Sequence, residues 1–196
     1  MSNRDPMVIV EGPDGYSIGL RNETSYNPDS ADNATVYSQF YQENPHKNDN
    51  YPTKHGILLL KDGKLKNSVC VSSGGGATGI HPRCSVLDGN SFLICCADSI
   101  FCLNLPDLHL NWITKADQAT CFGIYRYKNS YIVHGELEIS RLDKDGNIIW
   151  QFSGFDIFTT PEGPDVLRIN GNIIKASSWD GITYLIDAQT GQLCRP

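Results

Sequence analysis

The chain has 196 residues with 16 basic and 22 acidic side chains, giving a formal net charge of −6; this length fits one or two domains. The charge argues against a nucleic-acid partner, because a nucleic-acid-binding surface normally starts from clustered positive charge. Hydrophobic residues make up 40% of the sequence, beside 18 Gly and 10 Pro. Such a chain can bury a core, which excludes disordered and collagen-like classes.

The cysteines and the absence of long apolar runs favour a soluble cytoplasmic protein. No stretch is long enough for a secretory signal or approaches the roughly 20 apolar residues of a membrane span, so no membrane partner is expected. The seven cysteines are odd in number and contain no C-x-x-C pair, which disfavours a cysteine-based zinc site. Most lie in apolar runs, where reduced Cys acts as a small hydrophobe. Adjacent Cys95 and Cys96 are expected on opposite faces of a strand.

The first predicted blade, residues 7–71, contains a long insertion. Its four strands are predicted at residues 7–10, 16–20, 56–61 and 65–71. The polar insertion, residues 22–55, separates the second strand from the third. It is rich in Asn, Asp, Ser and Pro but carries several Tyr and Phe40.

Three later stretches repeat a four-strand order joined by tight turns. They cover residues 81–112, 121–150 and 165–194. Trp112 and Trp150 occupy one repeat position, which Cys194 takes in the last copy. A period of about 40 residues with four strands per copy is typical of propeller blades, whereas a two-sheet sandwich would not repeat the Trp and the turns in register.

The repeats therefore predict an all-β fold. We expect a single domain over residues 1–196, a small propeller-like array of about four four-stranded blades. Four blades are near the lower limit for closure, so the ring is either closed or left open and incomplete. An open array would leave a sheet edge through which two copies could form a homo-oligomer.

The last part of the third and fourth blades follows one motif. In residues 141–150 and 184–193 a strand ends in Asp143 or Asp187, a Gly-containing turn follows, and the next strand reaches Trp150 in the first case. This motif resembles the PQQ-like repeats of quinoprotein-type bacterial β-propellers. The resemblance implies the fold but little about function, because dehydrogenases, assembly scaffolds and binding proteins share the repeat. Relatives that bind the quinone use larger rings, so no cofactor is expected here.

One end of the predicted propeller collects the longest loops and a set of acidic residues. In a blade with strands a to d, the b–c turns and the d–a connections lie at the same end. The candidate binding residues there are Asp98, Glu136, Trp179 and Asp180 in b–c turns, Asp156 and Glu162 in a d–a connection, and His134 nearby. Because loops on a rigid scaffold concentrate binding residues, we expect an acidic, partly aromatic face. The alternative is that these carboxylates are ordinary turn residues.

Other motifs with a chemical meaning lack their structural setting. Residues 74–79 match G-x-G-x-x-G, but no helix is predicted to follow, so a linker between blades is the better interpretation. Residues 177–180 lack the strand–turn–helix setting of a nucleophile elbow. No His pair has metal-ligand spacing. The sequence therefore identifies no catalytic residue and no metal site, and Trp112 and Trp150 are predicted to be packing anchors between blades.

Two functional hypotheses follow. The first is a non-enzymatic binding or scaffold protein, immunity-like in size and acidity, that presents its loop-rich acidic face to a protein partner. The alternative is a metal-assisted hydrolase or lyase, with carboxylates from several blades converging on the propeller axis. An enzyme requires carboxylates or His pointing inward around one pocket, whereas a binding protein requires only outward loops.

Overall fold

The computed structural model describes residues 8–12, 14–44, 51–161 and 166–194. Over these residues the chain is all-β, with sixteen strands in four sheets and no helix. The described residues also contain no segment that could cross a bilayer as an apolar helix. The predicted all-β class is confirmed.

The first sheet has five strands. They are β1 (Val8–Glu11), β2 (Tyr16–Asn22), β3 (Gln39–Gln42), β4 (Thr53–Lys61) and β5 (Lys64–Ser73), in the spatial order β1-β2-β4-β5-β3. The boundary predicted for the insertion, residues 22–55, is wrong at its end, because β4 begins at Thr53 and pairs there with Ser73. The insertion also adds β3, which pairs in parallel with β5.

The other three sheets follow chain order. The second sheet contains β6 (Ser85–Asp88), β7 (Ser91–Cys96), β8 (Ser99–Asn104) and β9 (His109–Lys115). The third sheet contains β10 (Cys121–Tyr127), β11 (Ser130–Gly135), β12 (Glu138–Leu142) and β13 (Ile148–Ser153). The fourth sheet contains β14 (Leu167–Asn170), β15 (Ile173–Ser177) and β16 (Thr183–Asp187). The fourth strand predicted for the last copy is reduced to a bridge between Ile186 and Leu193.

Buried side chains form four clusters, three of which lie between successive sheets and one on the outer face of the first sheet. Neighbouring residues of a strand point to opposite faces. In β7, Ile94 and Cys96 pack toward the first sheet, whereas Leu93 and Cys95 pack toward the third. The expectation for Cys95 and Cys96 is confirmed, and each of the two middle sheets is buried on both faces.

The array of sheets is open between its last and first members. Within the described residues no core joins the fourth sheet to the first. The outward face of the first sheet is covered by the insertion, since Tyr26 and Tyr37 pack on Leu58. The outward face of the fourth sheet leaves Ile173 and Leu185 exposed. The protein is therefore a propeller-like array with one covered end and one open end.

The repeated tryptophans connect successive sheets. Nε1 of Trp112 donates to the carbonyl oxygen of Lys144 at 3.0 Å, and Nε1 of Trp150 donates to that of Ala188 at 3.3 Å. Each ring lies on a turn glycine of the next sheet, so close that a Cβ on Gly146 or Gly191 would lie 2.6 Å from it. These contacts confirm that the two tryptophans are packing anchors.

Candidate functional site

The connection from the third sheet to the fourth brings most of the predicted site residues together. The amide of Phe158 donates to the carbonyl oxygen of Glu136 at 2.7 Å, and the amide of Trp179 donates to that of Ile157 at 2.9 Å. Asp156 therefore lies between the turn that carries Glu136 and the turn that carries Trp179. Asp180 follows Trp179 in the same exposed turn. Glu162 lies outside the described residues.

Asp98 is at a b–c turn as predicted but is not an exposed carboxylate. It is 3% exposed, and Lys115 forms an ion pair with its Oδ2 at 2.8 Å. Its Oδ1 accepts hydrogen bonds from the hydroxyls of Ser73 and Ser99. The hydrogen bond to Asp98 raises the pKa of Lys115. Asp98 thus ties the first sheet to the second and does not belong to an open acidic surface.

Asp117 is a second buried carboxylate, which the sequence did not single out. Its Oδ1 accepts the amides of Ala119 and Thr120, and its Oδ2 accepts those of Leu137 and Glu138. The approach is close enough that a Cβ on Gly135 would overlap Oδ2 of Asp117. Asp117 therefore fixes the turn of the third sheet against the preceding connection. An Asp at the end of a strand gives no sequence signal that separates this role from a solvated one.

An apolar surface lies at this loop-rich end, and we call it the loop-end patch. It consists of Leu137, Phe155, Trp179 and Ile182, all exposed. Phe155 is 90% exposed and Trp179 is 53% exposed. A shallow cleft of about 340 Å³, lined partly by Phe155 and Asp156, adjoins it. Of the four apolar residues, Trp179 is predicted from the sequence and the other three are not, because the sequence does not distinguish an exposed apolar residue in a loop from a buried one.

Three carboxylates, which we call the acidic rim, lie on the same turns and connection as the loop-end patch: Glu136, Asp156 and Asp180. Asp156 accepts the amide of Ile157 through Oδ1, and Asp180 accepts the hydroxyl of Ser178 through Oδ1. Both aspartates therefore shape their own turns, as the alternative interpretation expects. Both side chains are nevertheless exposed, so their charge also faces solvent beside the patch.

A larger cleft, of about 640 Å³, lies between strands β10 and β11 of the third sheet and the connections that lead into the second and fourth sheets. We call it the inter-sheet cleft. Its principal lining residues are His81, Arg83, Phe122, Tyr125, His134 and Phe158. Burial lowers the pKa of His134 to about 4 and also lowers the pKa of His81, so both imidazoles are neutral at pH 7. Within the described ranges, no group of three or more His, Cys, Asp or Glu could hold a metal ion.

The glycine-rich segment after β5 packs against another connection. Gly75 has a φ of +95°, and a Cβ there would overlap the carbonyl oxygen of Ala119. The amide of Gly76 donates to that same oxygen at 2.8 Å. No helix follows this segment in the described residues. Glycine is thus required for close approach between two connections, and the segment links two sheets as predicted.

Comparisons with known proteins give structural neighbours but no family. No protein-family model matches the chain, and no curated protein does. The AfRom2 CNH domain matches with a TM-score of 0.55 at 9% identity, over 100% of this chain and 55% of that one. The computationally designed Ika8 protein matches with a TM-score of 0.52 at 15% identity, over 73% of this chain and 45% of that one.

These two likenesses concern the fold alone. The chain spans about half the length of each of the two structures. Together with the four successive sheets, the likeness to the CNH domain supports the propeller-like architecture.

Proposed function

We propose that the protein is a non-enzymatic binding module whose loop-end patch docks a protein partner. The observation that carries the proposal is the exposure of two aromatic side chains, Phe155 and Trp179, on loops that are otherwise held by backbone hydrogen bonds. Large aromatic side chains that are exposed together commonly mark interaction sites. Trp is also among the residue types that dominate binding energy at protein interfaces.

The acidic rim defines the chemistry of the partner. Glu136, Asp156 and Asp180 share the turns and connection of the patch, and the whole chain carries a net charge of −6. Complementary charge steers association and disfavours wrong partners. The partner segment that fits this surface combines apolar side chains, which cover Phe155 and Trp179, with Lys or Arg, which face the rim.

The compartment and the repeat family are part of the same proposal. All seven cysteines are free thiols and six of them are buried, which supports a cytoplasmic location, where thiols stay reduced. The motif around Asp143 and Asp187 supports a bacterial PQQ-like repeat protein used as a scaffold, immunity-like in its binding role and without the quinone.

Self-association through the open end of the array is a second proposal about partners. Ile173 and Leu185 are exposed on the outward face of the fourth sheet, and exposed apolar side chains on a sheet face favour contact with a second copy. Light scattering after size exclusion would show a concentration-dependent dimer that Leu185→Lys abolishes. A monomer at all concentrations would remove this proposal and leave the loop-end patch unaffected.

The hydrolase alternative gains no specific support. Among the residues that the structure describes, the buried carboxylates are Asp98 and Asp117, and each has both oxygens engaged by protein donors. They stabilise connections between sheets and leave no oxygen free for a metal or a substrate.

Affinity capture with surface variants tests the binding proposal. Phe155→Ser combined with Trp179→Ser removes both aromatic rings and leaves the backbone hydrogen bonds in place. Val36→Ser is the matched control, because Val36 is 83% exposed on the insertion, which packs on the first sheet, and is not part of the loop-end patch. We expect a host protein that wild type and Val36→Ser retain, that the double variant loses, and that added NaCl weakens. Equal retention by all three proteins, or no retained protein, would refute the proposal.

A further inference from the structure

The inter-sheet cleft has the size and composition of a small-molecule site. Its volume of about 640 Å³ lies within the range of about 300–1,000 Å³ that is typical of ligand pockets. Three aromatic rings line it, those of Phe122, Tyr125 and Phe158. Such sites are usually apolar with a few fixed polar groups, and His134 supplies one here.

The hydrogen bonds of His134 determine which nitrogen carries its proton. Nε2 lies 2.8 Å from the carbonyl oxygen of Phe158. A carbonyl oxygen only accepts, so Nε2 carries the hydrogen. Because the ring is neutral at pH 7, Nδ1 is left with a lone pair and is an acceptor. The edge-on contact of Phe122, with ring centroids 5.5 Å apart, holds the imidazole in this orientation.

Nδ1 of His134 has no donor among the described residues, where the bond to Phe158 is the ring's one hydrogen bond. The side chain is more than nine-tenths buried, yet it lines the cleft. Among the described residues the buried nitrogens without a partner are those of His55, not Nδ1 of His134, so Nδ1 is reached by solvent through the cleft. A ligand that brings a donor into the cleft replaces that solvent, whereas a ligand without a donor would cover the acceptor and leave it unpaired, so the acceptor selects for a donor.

We propose that the inter-sheet cleft binds a small, neutral, planar aromatic molecule carrying an N–H or O–H donor, which hydrogen-bonds to Nδ1 of His134. The aromatic walls stack against the plane of the molecule. None of the residues that line the cleft belongs to the loop-end patch, so a ligand in the cleft would not contact that patch.

Two bicyclic probes of similar shape test the proposal on the full-length protein. Indole carries an N–H donor, whereas benzothiophene has none. In NMR titrations we expect indole to shift the amide signals of Phe122, His134 and Phe158 and to bind up to about tenfold more tightly than benzothiophene, as one hydrogen bond predicts.

Two variants test whether Nδ1 of His134 is the acceptor and whether the probes bind in the cleft. His134→Phe keeps an aromatic ring but removes the acceptor, so we expect the two probes to bind it equally. Thr159→Trp places a large side chain at the cleft wall, so we expect it to weaken both probes. If His134→Phe fails to fold, the affinities of the two probes for wild type still test the preference for a donor, and those for Thr159→Trp still test binding in the cleft.

The outcomes that overturn the proposal are distinct from failure of the protein-binding proposal. Equal affinity of the two probes for wild type, no binding of either, or shifts confined to signals outside the cleft would each refute it. Phe155→Ser is the control for the other surface and is expected to leave indole binding unchanged.

Discussion

Two buried, neutral histidines make the fold sensitive to mild acid. His55, in β4, is 1% exposed, and neither ring nitrogen finds a hydrogen-bond partner among the described residues. Burial lowers the pKa of His55 to about 4, as it does that of His134. An unfolded histidine titrates near 6.5. Between pH 6.5 and pH 4 the unfolded chain therefore binds more protons than the folded one, and stability decreases as the pH falls through this window.

The size of the effect follows from the two pKa values. For one histidine whose pKa falls from 6.5 to about 4, the free energy of unfolding decreases by about 2 kcal/mol between pH 7 and pH 5. His55 and His134 together give about 4 kcal/mol, a large part of the 5–15 kcal/mol that is typical of a folded domain. The full loss is reached only below pH 4, where carboxylates also titrate, so the window from pH 7 to pH 5 isolates the histidines best.

Urea denaturation at pH 7 and pH 5 measures this effect. We expect the free energy of unfolding of wild type to fall by at least about 4 kcal/mol, because His81 adds to the loss, and that of His55→Leu to fall by about 2 kcal/mol less, because the contribution of His55 is gone. His55→Leu should also be at least as stable as wild type at pH 7, since it removes two buried unpaired nitrogens. An equal loss in both proteins would refute the assignment of His55 as a buried neutral group.

Three further predictions concern contacts between sheets and the cysteines. Gly191→Ala should destabilise the fold by at least about 1 kcal/mol more than Gly171→Ala in thermal or urea unfolding. Both glycines have positive φ, but of the two only Gly191 lies against the ring of Trp150. Asp117→Asn should lower the free energy of unfolding by about 2–4 kcal/mol in the same assay, since it replaces an oxygen that accepts two amides with an NH₂ donor. An unchanged free energy of unfolding would show that these hydrogen bonds are dispensable. A thiol reagent should label Cys194 alone in the native protein and all seven cysteines in urea, because the other six are buried and burial raises their pKa. Rapid native labelling of several thiols would contradict this.

The sequence predicts the repeated part of the fold because each element there has a local signal. Alternating apolar residues and Gly-containing turns mark the strands of the second and third sheets. The insertion gives no such signal: β3 is the short segment Gln39–Gln42, and its parallel pairing with β5 depends on contacts distant in sequence. The last strand was overpredicted, since only a bridge at Leu193 forms there.

Position in the repeat predicts which residues of the candidate site share a turn. It does not predict which of their side chains are buried or paired. Strand order alone places Trp179 and Asp180 in one exposed turn, next to the connection that holds Asp156. It does not show that Lys115 neutralises Asp98, because that ion pair depends on side-chain burial. The inter-sheet cleft could not be predicted either, since it arises from residues on separate elements, such as His81 and Phe158, that the fold brings together.

Hydrogen–deuterium exchange on the complex tests the central claim most directly. With the retained partner bound, we expect slower exchange at residues 153–160 and 178–182, which carry Phe155 and Trp179, and unchanged exchange in the insertion and on the fourth sheet's outward face. Protection at that outward face or the insertion, with none around Phe155 and Trp179, would contradict the claim that the loop-end patch is the docking surface.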